Sequence, residues 1–176
     1  MSHAQPQLWV IAGPNGAGKS TLIRRQKFAD WMPVVNADDI AEALRRELVG
    51  TNEAAIIAKA GRMALAQRNA FLTEGRSFVI ETTLTGHSEL HLMGAAKARG
   101  YKVNLVYVKI ASPELSNSRV CTRVATGGHD VPEPDIFRRF ARSLKNLPKA
   151  IAISDRVRIL DNRERRYRRV DGIEAI

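Results

Sequence analysis

The segment Gly13-Pro14-Asn15-Gly16-Ala17-Gly18-Lys19-Ser20-Thr21 constrains this chain more than any other. It matches G-x-x-x-x-G-K-[ST] in full, directly after an apolar run and directly before a helical stretch. Glycines let the backbone wrap so closely that several N–H groups face one phosphate, and the helix N-terminus adds partial positive charge. In such a loop Lys19 reaches the β- and γ-phosphates and Ser20 can ligate Mg²⁺. Residues 13–21 are therefore expected to bind a nucleoside triphosphate such as ATP, with Ser20 on the metal.

The rest of the chain supplies a frame for that loop. Apolar runs at 8–13, 33–38, 77–82, 101–110 and 156–162 read as strands. Between them, 19–30, 39–49, 52–74, 88–99, 113–125 and 133–150 carry helical spacing and helix punctuation. In the longest of these, Ile56, Ala60, Met63, Ala64 and Phe71 recur near a 3.6 period and are expected to face inward. Strands alternating with helices predict an α/β sandwich with a mainly parallel sheet, whose ligands sit at the C-terminal ends of the strands. The length suits one domain.

Two strand ends carry acids on that rim. Asp38 and Asp39 follow the second strand, and Glu81 ends the third. A kinase needs a carboxylate to take the proton of the acceptor hydroxyl, worth about 10²–10⁴-fold in rate, and oxygen ligands for Mg²⁺. Each acid also has a structural reading: an N-cap for Asp38 or Asp39, and a hydrogen bond to a neighbouring loop for Glu81. No LSGGQ-like signature and no apolar strand ending in the paired acids of many motor ATPases is seen, which argues against a transporter ATPase or a motor.

Arginines follow. Arg119 and Arg123 share one helix face; after Gly127-Gly128, Arg138, Arg139 and Arg142 lie on a second helix. A helix pair at 113–145 joined by glycines suits a lid that brings guanidinium groups to a transferring phosphoryl group. Arg119 and Arg123 are the expected catalytic pair, with His129, Arg138 and Arg139 as further phosphate contacts. The alternative is a solvated basic face. Cys121 is read as structural.

The net charge of +10 favours an anionic partner. Residues 111–176 hold as many basic and acidic groups (14 and 9) as the longer stretch 1–110. Five arginines between 163 and 169 read either as a nucleic-acid contact, with Tyr167 available for stacking, or as a solvated edge strand. One cysteine, no visible secretory signal and no apolar run near 18 residues lead to the expectation of a cytoplasmic protein without a membrane partner.

The stretches AGPNGAGKST, VNADDIA, FVIETTLTG and RVCTRVATGGHDVPEPDIFRRFARSLKNL together resemble the zeta-toxin-like P-loop kinases. The resemblance covers about residues 8–162. It implies an adenylate-kinase-like three-layer core with five strands in the order 2-3-1-4-5, a helical lid, and ATP with Mg²⁺ as phosphoryl donor. It implies a sugar hydroxyl of UDP-N-acetylglucosamine or a related nucleotide sugar as acceptor. Asp38 matches the family's catalytic base, Glu81 and Thr82 its substrate-side neighbourhood, and Arg119 its first lid arginine. His129 falls where a second lid arginine is expected, which throws phosphate stabilisation onto Arg123, Arg138 or Arg139. Any antitoxin would be a separate protein. A nucleic-acid-associated ATPase or polynucleotide kinase, and a triphosphate-dependent switch, are the other readings.

Overall fold

The computed structural model describes residues 5–128 and 130–170. Its centre is a six-stranded sheet formed by β1 (Gln7–Ala12), β2 (Val34–Val35), β3 (Phe78–Thr82), β4 (Lys102–Lys109), β5 (Arg156–Asp161) and β6 (Arg168–Val170). The spatial order is β2-β3-β1-β4-β5-β6. The first five strands are parallel, and β6 runs antiparallel to β5. The order expected for five strands is present, and β6 extends it by an edge strand inside the arginine-rich stretch.

Alternation along the strands covers both faces of the sheet. Leu8, Val10, Phe78, Ile80, Val103, Leu105 and Tyr107 point into one core layer. That layer is closed by Met93 and Ala96 of α4 (Ser88–Ala98) and by Leu147 and Ala150 of α6 (Glu133–Ile153). Ile11, Val79, Val106 and Val108 face the other way, onto Leu22 and Ile23 of α1 (Lys19–Arg25). Helix, sheet and helix form three layers, the α/β P-loop kinase fold. Tyr107, fully buried, shares a 3.0 Å hydrogen bond with the Ser143 hydroxyl on α6.

Two boundaries and one inward-facing residue differ from the sequence reading, each for a local reason. The second strand is two residues long because Asn36 starts a helix. Its side chain accepts the Asp38 N–H at 3.0 Å, so α2 runs Ala37–Glu47. Asp38 and Asp39 thus lie in the first helical turn, and Asn36 is the cap. The first helix stops at Arg25; Lys27 turns left-handed (φ 51) and a 3-10 turn follows over Phe28–Asp30. In α3 (Glu53–Thr73), Ile56, Ala60, Ala64 and Leu72 are buried, whereas Met63 is 38% exposed. Met63 lies one position off the buried 56-60-64 row, of which Ile56 and Ala60 pack with Ala41 and Leu44 of α2 while Ala64 joins the central core. Among the described residues no helix is long and apolar enough to cross a membrane.

Candidate functional site

After β1 the chain turns through Gly13–Gly18 and enters α1 at Lys19. Gly13 has φ 144, and a Cβ there would lie 2.3 Å from the Val108 carbonyl oxygen of β4. Gly18, at φ 98, precedes the helix; a Cβ there would lie 2.6 Å from Asn162 Nδ2. Only glycine satisfies both the backbone and the space.

Donors hold five consecutive carbonyls of this loop. Pro14 O takes the Ala17 N–H (3.3 Å) and Lys19 Nζ (3.0 Å). Asn15 O takes the Ser116 hydroxyl (2.5 Å) of α5 (Pro113–Ala125), and Gly16 O takes Arg119 Nη1 (3.5 Å). Ala17 O takes Asn162 Nδ2 (2.8 Å), and Gly18 O takes both the Tyr167 hydroxyl (2.7 Å) and the Leu22 N–H (3.0 Å). Among the described residues, the N–H groups of Gly16, Gly18, Lys19 and Ser20 donate to no protein oxygen. With its carbonyls engaged, the loop offers a ligand donors only, which is the electrostatics an anion requires.

Lys19 is 7% exposed and forms no ion pair within 4.0 Å among the described residues. Burial pulls its ammonium below the ordinary lysine range, against the opposing pull of the Glu81 and Asp38 charges; Arg123 lowers it further. A buried cation without a paired carboxylate suits an anionic ligand. Beside it, the parallel register Ile11↔Glu81 and Ala12↔Thr82 carries the end of β3 next to the loop. Glu81 accepts the Ser20 hydroxyl at 2.8 Å and Asn36 Nδ2 at 3.1 Å. Burial raises the Glu81 carboxyl above its usual range, partly offset by Lys19 and Ser20. A hydroxyl and a carboxylate in contact supply oxygen ligands of the type Mg²⁺ takes.

These groups open into a cleft of about 1170 Å³ that Lys19, Ser20, Asp38, Glu81, Arg123 and Arg139 line. Asp39 also faces it, its carboxyl raised by burial and then by the Asp38 charge. Thr82 lines the cleft while its hydroxyl accepts the Leu84 N–H at 2.9 Å.

The arginines divide. Arg123 and Arg139 line the cleft. Arg138 does not; it pairs with Asp135 at 2.9 Å. Arg119 lines the cleft, yet its guanidinium also donates to Asn162 O (2.8 Å) and Arg163 O (2.9 Å), so it ties the phosphate loop to the β5–β6 turn. His129 lies outside the described residues. In the C-terminal arginine stretch, Arg163 bonds Asp161 at 2.8 Å and Arg168 bonds Glu164 at 2.7 Å. Tyr167 is partly buried against the loop, with Arg25 over its ring at 5.8 Å, and is not a free stacking platform.

Sequence reasoning missed four residues of the site and gave a fifth, Tyr167, another role. Asn36 carries a cap signal but reaches Glu81 as well. Asn162 and Tyr167 meet the loop from about 145 residues away, which no local pattern announces. Arg68 and Glu89 form a 3.7 Å ion pair in the cleft wall, at 11% and 13% side-chain exposure. Arg68 Nε and Glu89 Oε2 are both buried without a hydrogen-bond partner.

The fold and the carbonyl-pinned loop define a nucleotide-binding P-loop protein with a kinase-like core. Residues 8–147 match the AAA_33 model of AAA domains, and the chain belongs to that family. It is 31% identical over 141 residues to an uncharacterized protein of Haemophilus influenzae, covering 76% of this chain and 97% of that one. Its fold resembles a chain from the PezAT chromosomal toxin-antitoxin system of Streptococcus pneumoniae (TM-score 0.66, 22% identity, 95% of this chain and 72% of that one). It also resembles AvrRxo1-ORF1:ORF2 solved with ATP (TM-score 0.77, 20% identity, 95% and 58%). The zeta-toxin-like expectation therefore stands at the level of fold.

Proposed function

We propose that the protein is an ATP- and Mg²⁺-dependent kinase that transfers the γ-phosphoryl group to a hydroxyl of a small molecule. The observation that carries this reading is the contact of Ser20 with Glu81 beside the buried Lys19, with Asp38 on the same cleft. The loop N–H groups and Lys19 hold the phosphates. When bound, Mg²⁺ supplies charge neutralisation at the phosphate oxygens, with Ser20 and Glu81 as its protein side. Asp38 accepts the proton of the acceptor hydroxyl while that oxygen bonds to the γ-phosphorus and ADP departs. Arg123 and Arg139 face the charge that develops. Glu81 is better matched to the metal side than to orienting the acceptor, because two of its contacts are Ser20 and the helix cap Asn36.

The acceptor side is walled by Asp38, Thr82, Thr83 and the Arg68–Glu89 pair. Hydroxyl groups, each both donor and acceptor, suit such a mixed wall. A nucleotide sugar, with UDP-N-acetylglucosamine first, is the acceptor we favour. The fold shared with PezAT supports a separate antitoxin protein as a partner.

Asp38→Ala tests the assignment. It is expected to keep ATP affinity and lose transfer by at least about 10²-fold. Lys19→Ala is expected to lose both. Normal transfer by Asp38→Ala would reduce Asp38 to a first-turn helix residue.

A further inference from the structure

A second cavity, of about 430 Å³, lies between the Thr85–His87 turn and the middle of α6. Arg142, Lys145 and Lys149 line it from α6, spaced i, i+3 and i+7 on one helix face. None of the three makes an ion pair among the described residues, and no carboxylate lines the cavity. Like charges at this spacing repel one another. Among the described residues, nothing neutralises the three cations held together here.

The opposite wall is fixed. Asn146, buried on the same helix, donates Nδ2 to Leu84 O at 3.0 Å and to Gly86 O at 3.5 Å. Leu84 is fully buried with φ 58. The turn is thus anchored from α6 itself, and the cations do not depend on a mobile partner to stay opposite it.

Gly86 lines this cavity, three residues after Thr83 of the cleft wall. Its φ lies outside the left-handed region, so the backbone does not demand glycine. A Cβ there would come 3.0 Å from Oε2 of Glu89, which lines the cleft, so the two adjoin at this turn.

We propose that this cavity is a second anion-binding site, taking a phosphate or diphosphate group on Arg142, Lys145 and Lys149. Three cations with no competing acid fit a multiply charged oxyanion better than a carboxylate with one charge. Resting on the kinase reading, the group is the phosphate end of the acceptor, lying across Gly86 while the hydroxyl end reaches Asp38. The anion site itself does not depend on phosphoryl transfer.

Titration of the ¹⁵N-labelled protein with sodium pyrophosphate, followed by amide NMR, resolves the two sites by residue. Two sets of shifts are expected, one over the Gly13–Ser20 loop and one over Thr85–Ser88, each with its own dissociation constant. In Arg142→Ser/Lys145→Ser the second set should weaken by about tenfold or more, with the first unchanged and the salt dependence of the second reduced. Absence of shifts at Thr85–Ser88 in the wild type, or an unchanged constant in the double variant, overturns the proposal. Two outcomes in a transfer assay separate the sources of the anion. A raised KM for phosphate-bearing acceptors alone, with ATP unaffected, identifies the acceptor. A pyrophosphate-dependent change in turnover, lost in the double variant, identifies a free anion. Failure of the kinase reading would remove transfer but leave the NMR result intact.

Discussion

The Tyr167 hydroxyl donates to the Gly18 carbonyl at 2.7 Å, joining the β5–β6 turn to the residue that opens α1. Asn162 repeats the contact one residue earlier, on Ala17 O. The nucleotide loop is therefore braced by the C-terminal hairpin, and its geometry is not set by the loop sequence alone. Tyr167→Phe removes one donor and leaves the ring and its contact with Arg25. A hydrogen bond of this kind contributes about 1 kcal/mol. Affinity for a non-hydrolysable ATP analogue, measured by calorimetry, should fall by roughly fivefold with little change in melting temperature.

Arg119 spans three carbonyls, those of Gly16, Asn162 and Arg163. A lysine cannot reproduce that fork. Arg119→Lys should weaken nucleotide binding by about tenfold, while turnover at saturating ATP stays within about twofold of wild type. A selective loss of turnover with unchanged ATP affinity would instead return Arg119 to direct contact with the transferring group.

Glu81 carries a pH signature. Its carboxyl titrates above the ordinary range because it is buried. As pH falls it takes up a proton earlier than an exposed glutamate, and on the proposed assignment it then no longer offers Mg²⁺ a charged oxygen. Mg²⁺-dependent ATP binding should weaken on the acid side at a pH above that of a free carboxylate. Glu81→Gln should bind Mg²⁺ poorly at every pH and lose that acid limb; paired titrations of the two proteins read this directly.

Tyr107 gives a stability prediction. Burial pushes its phenol up to about 12, against 10.0 for the free side chain. A raised folded value means that stability is fully present below the unfolded pKa and is lost as pH rises from about 10 towards 12. The loss is on the order of 2–3 kcal/mol. Denaturant titrations at pH 9 and pH 11.5 should show a smaller loss in Tyr107→Phe than in wild type.

The loop from Gly13 to Thr21 was legible because its spacing is local, and the mainly parallel sheet because strands alternate with helices; the strand order came only with the resemblance to the zeta-toxin-like kinases. The placement of Glu81 followed from the parallel register. What stayed hidden were contacts made only in three dimensions. Arg119 reads as a phosphate-contacting arginine from its helix face, yet its donors also reach carbonyls of the 162–163 turn. Tyr167 sits in an arginine run that suggests solvent or nucleic acid, but it folds back on the loop. Asp38 and Asp39 look like caps until Asn36 takes that role through its own side chain. The Arg68–Glu89 pair joins α3 to the start of α4, and neither residue has a sequence pattern around it.

Transfer of label from γ-labelled ATP, with Mg²⁺, to a panel of nucleotide sugars and nucleotides tests the central assignment most directly, with wild type beside Asp38→Ala. The expected result is label on a nucleotide sugar with wild type and none with Asp38→Ala, although both bind ATP. Tight ATP binding with label on no acceptor, or equal labelling by the two proteins, would contradict the assignment of Asp38 as the base of a small-molecule kinase.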